Sequence, residues 1–168
     1  LHYAEISVRN SIHNRLIERC SDHWYENPAI VNNLADRQRA DLTELIEAER
    51  RRHGLLMTAH HLVSELSFGF WQHLLTKRFS RVLWPRGMKD AFPNLPNQME
   101  RQDVHDRVET IRKWRNRIAH HKPAFDQGPM RKHHETLQLI SWFCHATADW
   151  VTANSRVPAA IDLRPFKT

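Results

Sequence analysis

The scarcity of glycine is the feature that most constrains how this chain folds. Glycine accounts for only 4 of the 168 residues, whereas an all-β protein of this length needs many tight turns, which glycine usually forms. Apolar residues also recur at three- and four-residue spacing, beginning with Leu1, Ala4, Val8, Ile12 and Leu16. This spacing is the period of an amphipathic helix. The sequence therefore predicts an all-α fold.

Helical periodicity divides the chain into about five main helices, which we expect to form one bundle domain over residues 1–168. The first helix is expected to begin before residue 1 and to end before the Asn27-Pro28 break. The third should be central, with Gly69 allowing another backbone segment to come close. Residues between Phe79 and Pro96 predict an ordered connection with aromatic anchors. The second to fifth helices span about 35–52, 58–77, 103–119 and 130–153.

The charge balance of the chain favours a polyanionic partner. Its 25 Lys and Arg residues against 19 Asp and Glu residues give a formal net charge of +6, which is a footprint of nucleic-acid binding. No stretch has the roughly 18 uncharged apolar residues of a membrane span, and no signal-peptide pattern is present. We therefore expect a soluble, cytoplasmic protein without a membrane partner. Cys20 and Cys144 form no CxxC motif and are expected to be reduced.

Metal and cofactor chemistry finds little support in the sequence. Histidine occurs in three adjacent pairs, but adjacent helical residues point about 100° apart, which is poor geometry for a chelate. There is no HExxH motif, no cysteine-rich ligand set and no carboxylate cluster near the basic segment. We expect no metal and no cofactor. The pairs are His60-His61, His120-His121 and His133-His134.

Arg115 occupies an unusual position on the predicted fourth helix. At about 100° per residue it falls in the middle of an apolar stripe, formed by Val104, Val108, Ile111 and Ile118. A guanidinium there must be paired, face a cavity or lie at a subunit seam. Either Arg115 has a structural acidic partner, with Glu5 and Glu65 as candidates, or it works in a functional site.

His120 stands at the predicted end of the same helix. Pro123 disfavours helical geometry at the residue before it, so the helix should end near the histidines. Asn116 lies one turn before His120, where its amide could orient the imidazole. Arg115 and His120 point about 140° apart on an ideal helix. They can meet at one substrate atom only through an unwound helix end or a second subunit.

A resemblance to a known family rests on these residues. The helix ends in Arg115-Asn116-Arg117-Ile118-Ala119-His120-His121, with Pro123 two positions further on. This run resembles the signature of the Abi-like (abortive infection) proteins of the HEPN superfamily of small helical ribonucleases. The family pattern has an acidic residue where this chain has Lys122. Similar segments cover about residues 5–150: Glu5 with Arg9-Asn10, Glu65 to Trp71, Leu83-Trp84, Phe92-Pro93, Trp142 and Trp150.

The resemblance implies a metal-independent endoribonuclease that works as a homodimer, with Arg-x4-6-His motifs from two protomers facing one cleft. The 2′-hydroxyl of RNA would attack its own phosphodiester and leave a 2′,3′-cyclic phosphate and a 5′-hydroxyl. His120 would act as general base or acid, and Arg115 would hold the phosphate and stabilise the negative charge of the transition state. Asn116 would position His120 or a phosphate oxygen. RNA-binding roles fall to the basic residues nearby, which are Arg112, Lys113, Arg117, His121 and Lys122.

The implied setting is bacterial defence or a toxin–antitoxin system, with an antitoxin or a small structured RNA as a possible further partner. Two other functions remain open at this stage. One is a non-catalytic RNA-binding helical module, and the other is a structural dimerisation unit in which Arg115 only forms an ion pair. Aromatic residues could stack on bases, but their helical spacing favours the core; these are Phe68, Phe70, Trp71, Trp84 and Trp142.

Overall fold

The structure is a computed structural model that describes residues 1–85 and 87–163, so the last residues of the predicted domain lie outside the described part. Every regular element within these ranges is helical, and the all-α prediction is confirmed. The α-helices are α1 His2–Arg19, α2 Pro28–Val31, α3 Asp36–His53, α4 Ala59–Glu65, α5 Phe68–His73, α6 Arg101–Ala119, α7 Pro129–Ser141, α8 His145–Asn154 and α9 Val157–Asp162. Among the described helices, none combines the length and the hydropathy needed to cross a membrane.

The centre of the bundle is α1, not the predicted third helix. It packs against α4, α5, α6 and α7. Its inward face consists of small and branched apolar residues that are each at most 1% exposed, namely Ala4, Val8, Ile12 and Leu16. The first turn of α1 lies beside the C-terminal part of α6, where Glu5 pairs with Arg115.

The predicted third helix is broken into α4 and α5. Leu66 is extended, with φ −68° and ψ 128°, and the Ser67 side chain accepts a hydrogen bond from the Phe70 N–H at 3.3 Å. This serine cap replaces the intrahelical bonds lost at the break. Gly69 has no close backbone neighbour, since a methyl group there would meet only the Ser67 hydroxyl, at 3.6 Å. The prediction for Gly69 is therefore wrong.

The predicted fifth helix is also broken, into α7 and α8. Asn94, from the long connection, donates its backbone N–H to the Trp142 carbonyl at 3.0 Å and its side-chain amide to the Ser141 carbonyl at 3.1 Å. These carbonyls would otherwise continue the helical ladder. Cys144 is extended, with φ −158° and ψ 117°, and precedes α8. Cys20 and Cys144 are not joined in a disulfide, as expected.

The aromatic residues that could have stacked on bases are mainly in the core. Trp84 is only partly buried. The fully buried members are Phe68, Phe70, Trp71 and Trp142. The expectation that helical aromatics serve packing here, and not base stacking, is thus confirmed for these four.

Candidate functional site

The C-terminal end of α6 has a defined backbone structure. His120 is the C-cap, the His121 N–H donates to the Ile118 carbonyl at 2.9 Å, and the Lys122 N–H donates to the Arg117 carbonyl at 3.0 Å. These two bonds form a Schellman motif, which satisfies carbonyls that the helix leaves open. His121 takes the left-handed position with φ 52°, where glycine is usual. The motif ends the helix so that His120 and His121 are both exposed.

The left-handed backbone of His121 leads to a prediction about stability. A non-glycine residue in this conformation costs about 1–2 kcal/mol. We expect His121→Gly to raise the free energy of unfolding by about 1 kcal/mol, measured by urea denaturation. His121→Ala keeps the strained backbone while removing the imidazole, and so should give no gain. Equal stabilisation by both variants would assign the effect to the side chain instead.

Arg115 is an ion-pair partner, and it is not buried. Its Nε donates to Glu5 Oε2 at 3.1 Å, and its Nη1 donates to Asn116 Oδ1 at 3.2 Å. Of the two acids expected as partners, Glu5 is therefore the one present. The apolar stripe of α6 runs past the end of the core, because Ile118 is 42% exposed and the Arg115 side chain is equally exposed. Glu65 instead lines a separate groove beside α3.

A groove of about 510 Å³ lies along the other side of the α6 end, and we call it the cationic groove. His120 and Asn116 line it together, one helical turn apart. The groove also contains five permanent cations from two helices and the turn after α6: Arg112, Lys113, Arg117, Lys122 and Lys132. Its remaining lining residues are Thr110, Trp114 and Gln127.

Two carboxylates compensate part of this positive charge. Glu109 accepts two hydrogen bonds from Arg112, at 2.7 and 3.0 Å, and lies 3.3 Å from Lys113 Nζ. Burial opposes ionisation of Glu109, yet these bonds hold the pKa of its carboxyl below the ordinary value. Glu135 accepts from Lys132 at 2.9 Å. Five cations against two carboxylates leave an excess of three positive charges, which suits phosphate groups.

The structure brings most of the predicted site residues into this groove, but not all of them. His121 is exposed outside it, and Arg115 faces Glu5 on another side of α6. Within one chain, Arg115 and His120 therefore lie on different sides of α6, as the helical spacing predicts. Lys132 and Gln127 were missed, because their place in the groove depends on how α7 packs against α6. The basic run at the start of the predicted fifth helix was the available signal for Lys132.

No group of three or more His, Cys, Asp or Glu side chains is arranged to hold a metal ion within residues 1–85 and 87–163. His60, from one of the histidine pairs, hydrogen-bonds to His13, and its neighbour His61 bonds to Thr58. His133 lines a different, mainly apolar cavity. Comparison of the chain with family models, curated proteins and solved structures gives no match.

Proposed function

We propose that this protein is a metal-independent endoribonuclease of a bacterial defence or toxin–antitoxin type system, acting as a homodimer. One observation carries the proposal: an exposed histidine, His120, stands in a groove with an excess of positive charge, directly after a helical turn that holds Arg115 and Asn116. A polyanion bound in this groove would place a phosphate beside an imidazole. The resemblance of this segment to Abi-like HEPN proteins supports the same chemistry.

The reaction needs proton transfer and charge stabilisation at one phosphodiester. The 2′-oxygen attacks the phosphorus as its proton passes to a base, and the bond to the 5′-oxygen breaks as that oxygen takes a proton from an acid. An imidazole can serve as either group near neutral pH. Arg115 would stabilise the negative charge of the transition state. Only two of its N–H groups bond to other described residues, so further donors remain for a phosphate.

A second copy of the chain would resolve the separation of Arg115 and His120. Each reaction centre would take Arg115 from one subunit and His120 from the other. An exposed aromatic pair offers a surface for this contact, since Tyr3 and Trp150 meet edge to face at 5.3 Å and both are exposed. Aromatic residues are enriched in subunit interfaces.

Cleavage of single-stranded RNA in the presence of EDTA tests this function. We expect wild type to yield 2′,3′-cyclic phosphate ends, and His120→Ala and Arg115→Ala to lower the rate by about 10²- to 10⁴-fold. His134→Ala, which removes an exposed histidine of α7 outside the groove, is the matched control and should keep full activity. An inactive wild type, or full activity in both site variants, would overturn the assignment.

A non-catalytic RNA-binding module is the second candidate. It is favoured by the pairing of Arg115 with Glu5, because this pairing keeps the guanidinium out of the groove that contains His120. In that case RNA should bind to wild type and to His120→Ala equally, without cleavage by either. Binding should also weaken steeply with salt, since the cations of the groove would act by displacing counterions from phosphates.

A further inference from the structure

A second cavity adjoins the cationic groove and has a different character. It encloses about 200 Å³, and Trp114 forms a wall of both spaces. We call it the apolar cavity, because hydrocarbon and aromatic groups dominate its lining. Its lining residues are Leu1, Trp114, Ile118, Ala124, Phe125, Pro129, His133, Thr136, Val157, Ala160 and Ile161.

The two spaces are built from alternating residues of the same segments. Phe125 lines the apolar cavity, and Gln127 in the same turn lines the groove. On α7, His133 faces the cavity and its neighbour Lys132 faces the groove. A chain of phosphates in the groove would therefore pass directly beside the cavity mouth. Phe125, which is 48% exposed, contributes an aromatic side chain to the cavity lining.

Few polar groups line the apolar cavity, and two of them suit the edge of a heterocycle. Burial, followed by the neighbouring His134, lowers the pKa of His133, so its imidazole is neutral at pH 7. A neutral imidazole has one donor and one acceptor nitrogen. The Thr136 hydroxyl donates to the Lys132 carbonyl at 2.7 Å, which leaves its oxygen able to accept. These groups can bond to a base without selecting strongly among bases.

We propose that the apolar cavity receives one unpaired base of an RNA whose phosphates lie in the cationic groove. This inference rests on the proposed function and deepens it, since it makes single-stranded RNA the substrate class. A cavity of about 150 Å³ already accepts a benzene ring, so the space suits one nucleobase. Unpaired bases bind to proteins by stacking on aromatic side chains and by edge hydrogen bonds.

Binding is best measured in the His120→Ala protein, so that cleavage does not interfere. We expect Phe125→Ala to weaken binding of a single-stranded RNA about 10- to 100-fold, and Ala160→Phe, which fills the cavity, to do the same. Leu55→Ala is the matched control, because Leu55 is a fully exposed apolar residue that lines neither space. A series of RNAs that each lack the base at a different position tests the same site. We expect one member of the series to bind more weakly than the others, because its missing base is the one that would enter the cavity.

The outcomes separate this inference from the proposed function. If Phe125→Ala and Ala160→Phe bind RNA as tightly as their parent while wild type cleaves RNA, the base site is wrong and the ribonuclease stands. If light scattering shows that these variants lose only the dimer, the cavity is a subunit contact and the base site is again wrong. If wild type neither binds nor cleaves RNA, the proposed function itself fails.

Discussion

Mixing His120→Ala subunits with Arg115→Ala subunits is expected to restore RNA cleavage that neither variant performs alone. Arg115 faces Glu5 on one side of α6, whereas His120 lines the groove on another side. A centre shared between subunits would therefore be intact in the mixed dimer, with Arg115 from one chain and His120 from the other. Random pairing makes half of the dimers mixed, each with one intact centre, so activity should reach about a quarter of wild type.

The matched control for this experiment is the double variant with both substitutions in one chain, mixed with wild type. Its mixed dimers contain no intact centre, since each centre then lacks either Arg115 or His120. At a constant concentration of wild-type subunits, cleavage activity should therefore fall as the double variant is added. Absence of rescue by the single variants, with wild type active and dimeric by light scattering, would place both residues in the centre of one subunit.

The end of α6 was predictable because its causes are local. The helix was expected over 103–119 and spans Arg101–Ala119. Its end follows from Pro123 and from a turn closed within six residues. The helix begins two residues before its predicted start. Glu100 and Asp103 form a capping box there, and this pair of residues is less usual for the motif, so the sequence signal was weak.

The features that the sequence did not predict depend on distant partners. Asn94 ends α7 by donating to the carbonyls of Ser141 and Trp142, which lie 47 and 48 residues further along the chain. Glu5 and Arg115 are 110 residues apart, so the choice between Glu5 and Glu65 depended on the packing of α1 against α6. Lys132 reaches the groove for a similar reason, through the packing of α7. Residue spacing fixes which face of a helix a side chain occupies, but not which helix it meets.

Acid should destabilise the protein through a buried histidine of α1. His13 is only 3% exposed, accepts a hydrogen bond from Trp24 Nε1 at Nδ1 (3.2 Å) and lies 3.2 Å from His60 Nδ1 through its Nε2. The Trp24 bond requires Nδ1 to be unprotonated, so His13 donates through Nε2. A second proton would break the Trp24 bond and bury a charge.

Burial, followed by the charge of His60, lowers the pKa of His13 to about 4; Asp22 acts against this shift and Arg9 with it. Because this pKa lies below the value of about 6.5 in an unfolded chain, the folded state is favoured at higher pH. That stability is lost as the pH falls from 6.5 through 4, by up to about 3 kcal/mol at 1.36 kcal/mol per unit. The pKa of His73 is also lowered, first by burial and then by the charges of Arg78 and His105. His73 therefore adds to the loss of stability in acid.

Urea denaturation at several pH values between 7.5 and 4 measures this dependence. His13→Gln should lower the free energy of unfolding at pH 7.5, because it alters the bond to Trp24, but it should lose much less stability on acidification than wild type. His145→Gln, at an exposed position of α8, should keep the wild-type slope. Carboxylates titrate equally in all three proteins, so the difference between slopes isolates the buried imidazole. Identical slopes for wild type and His13→Gln would show that His13 is not the group responsible.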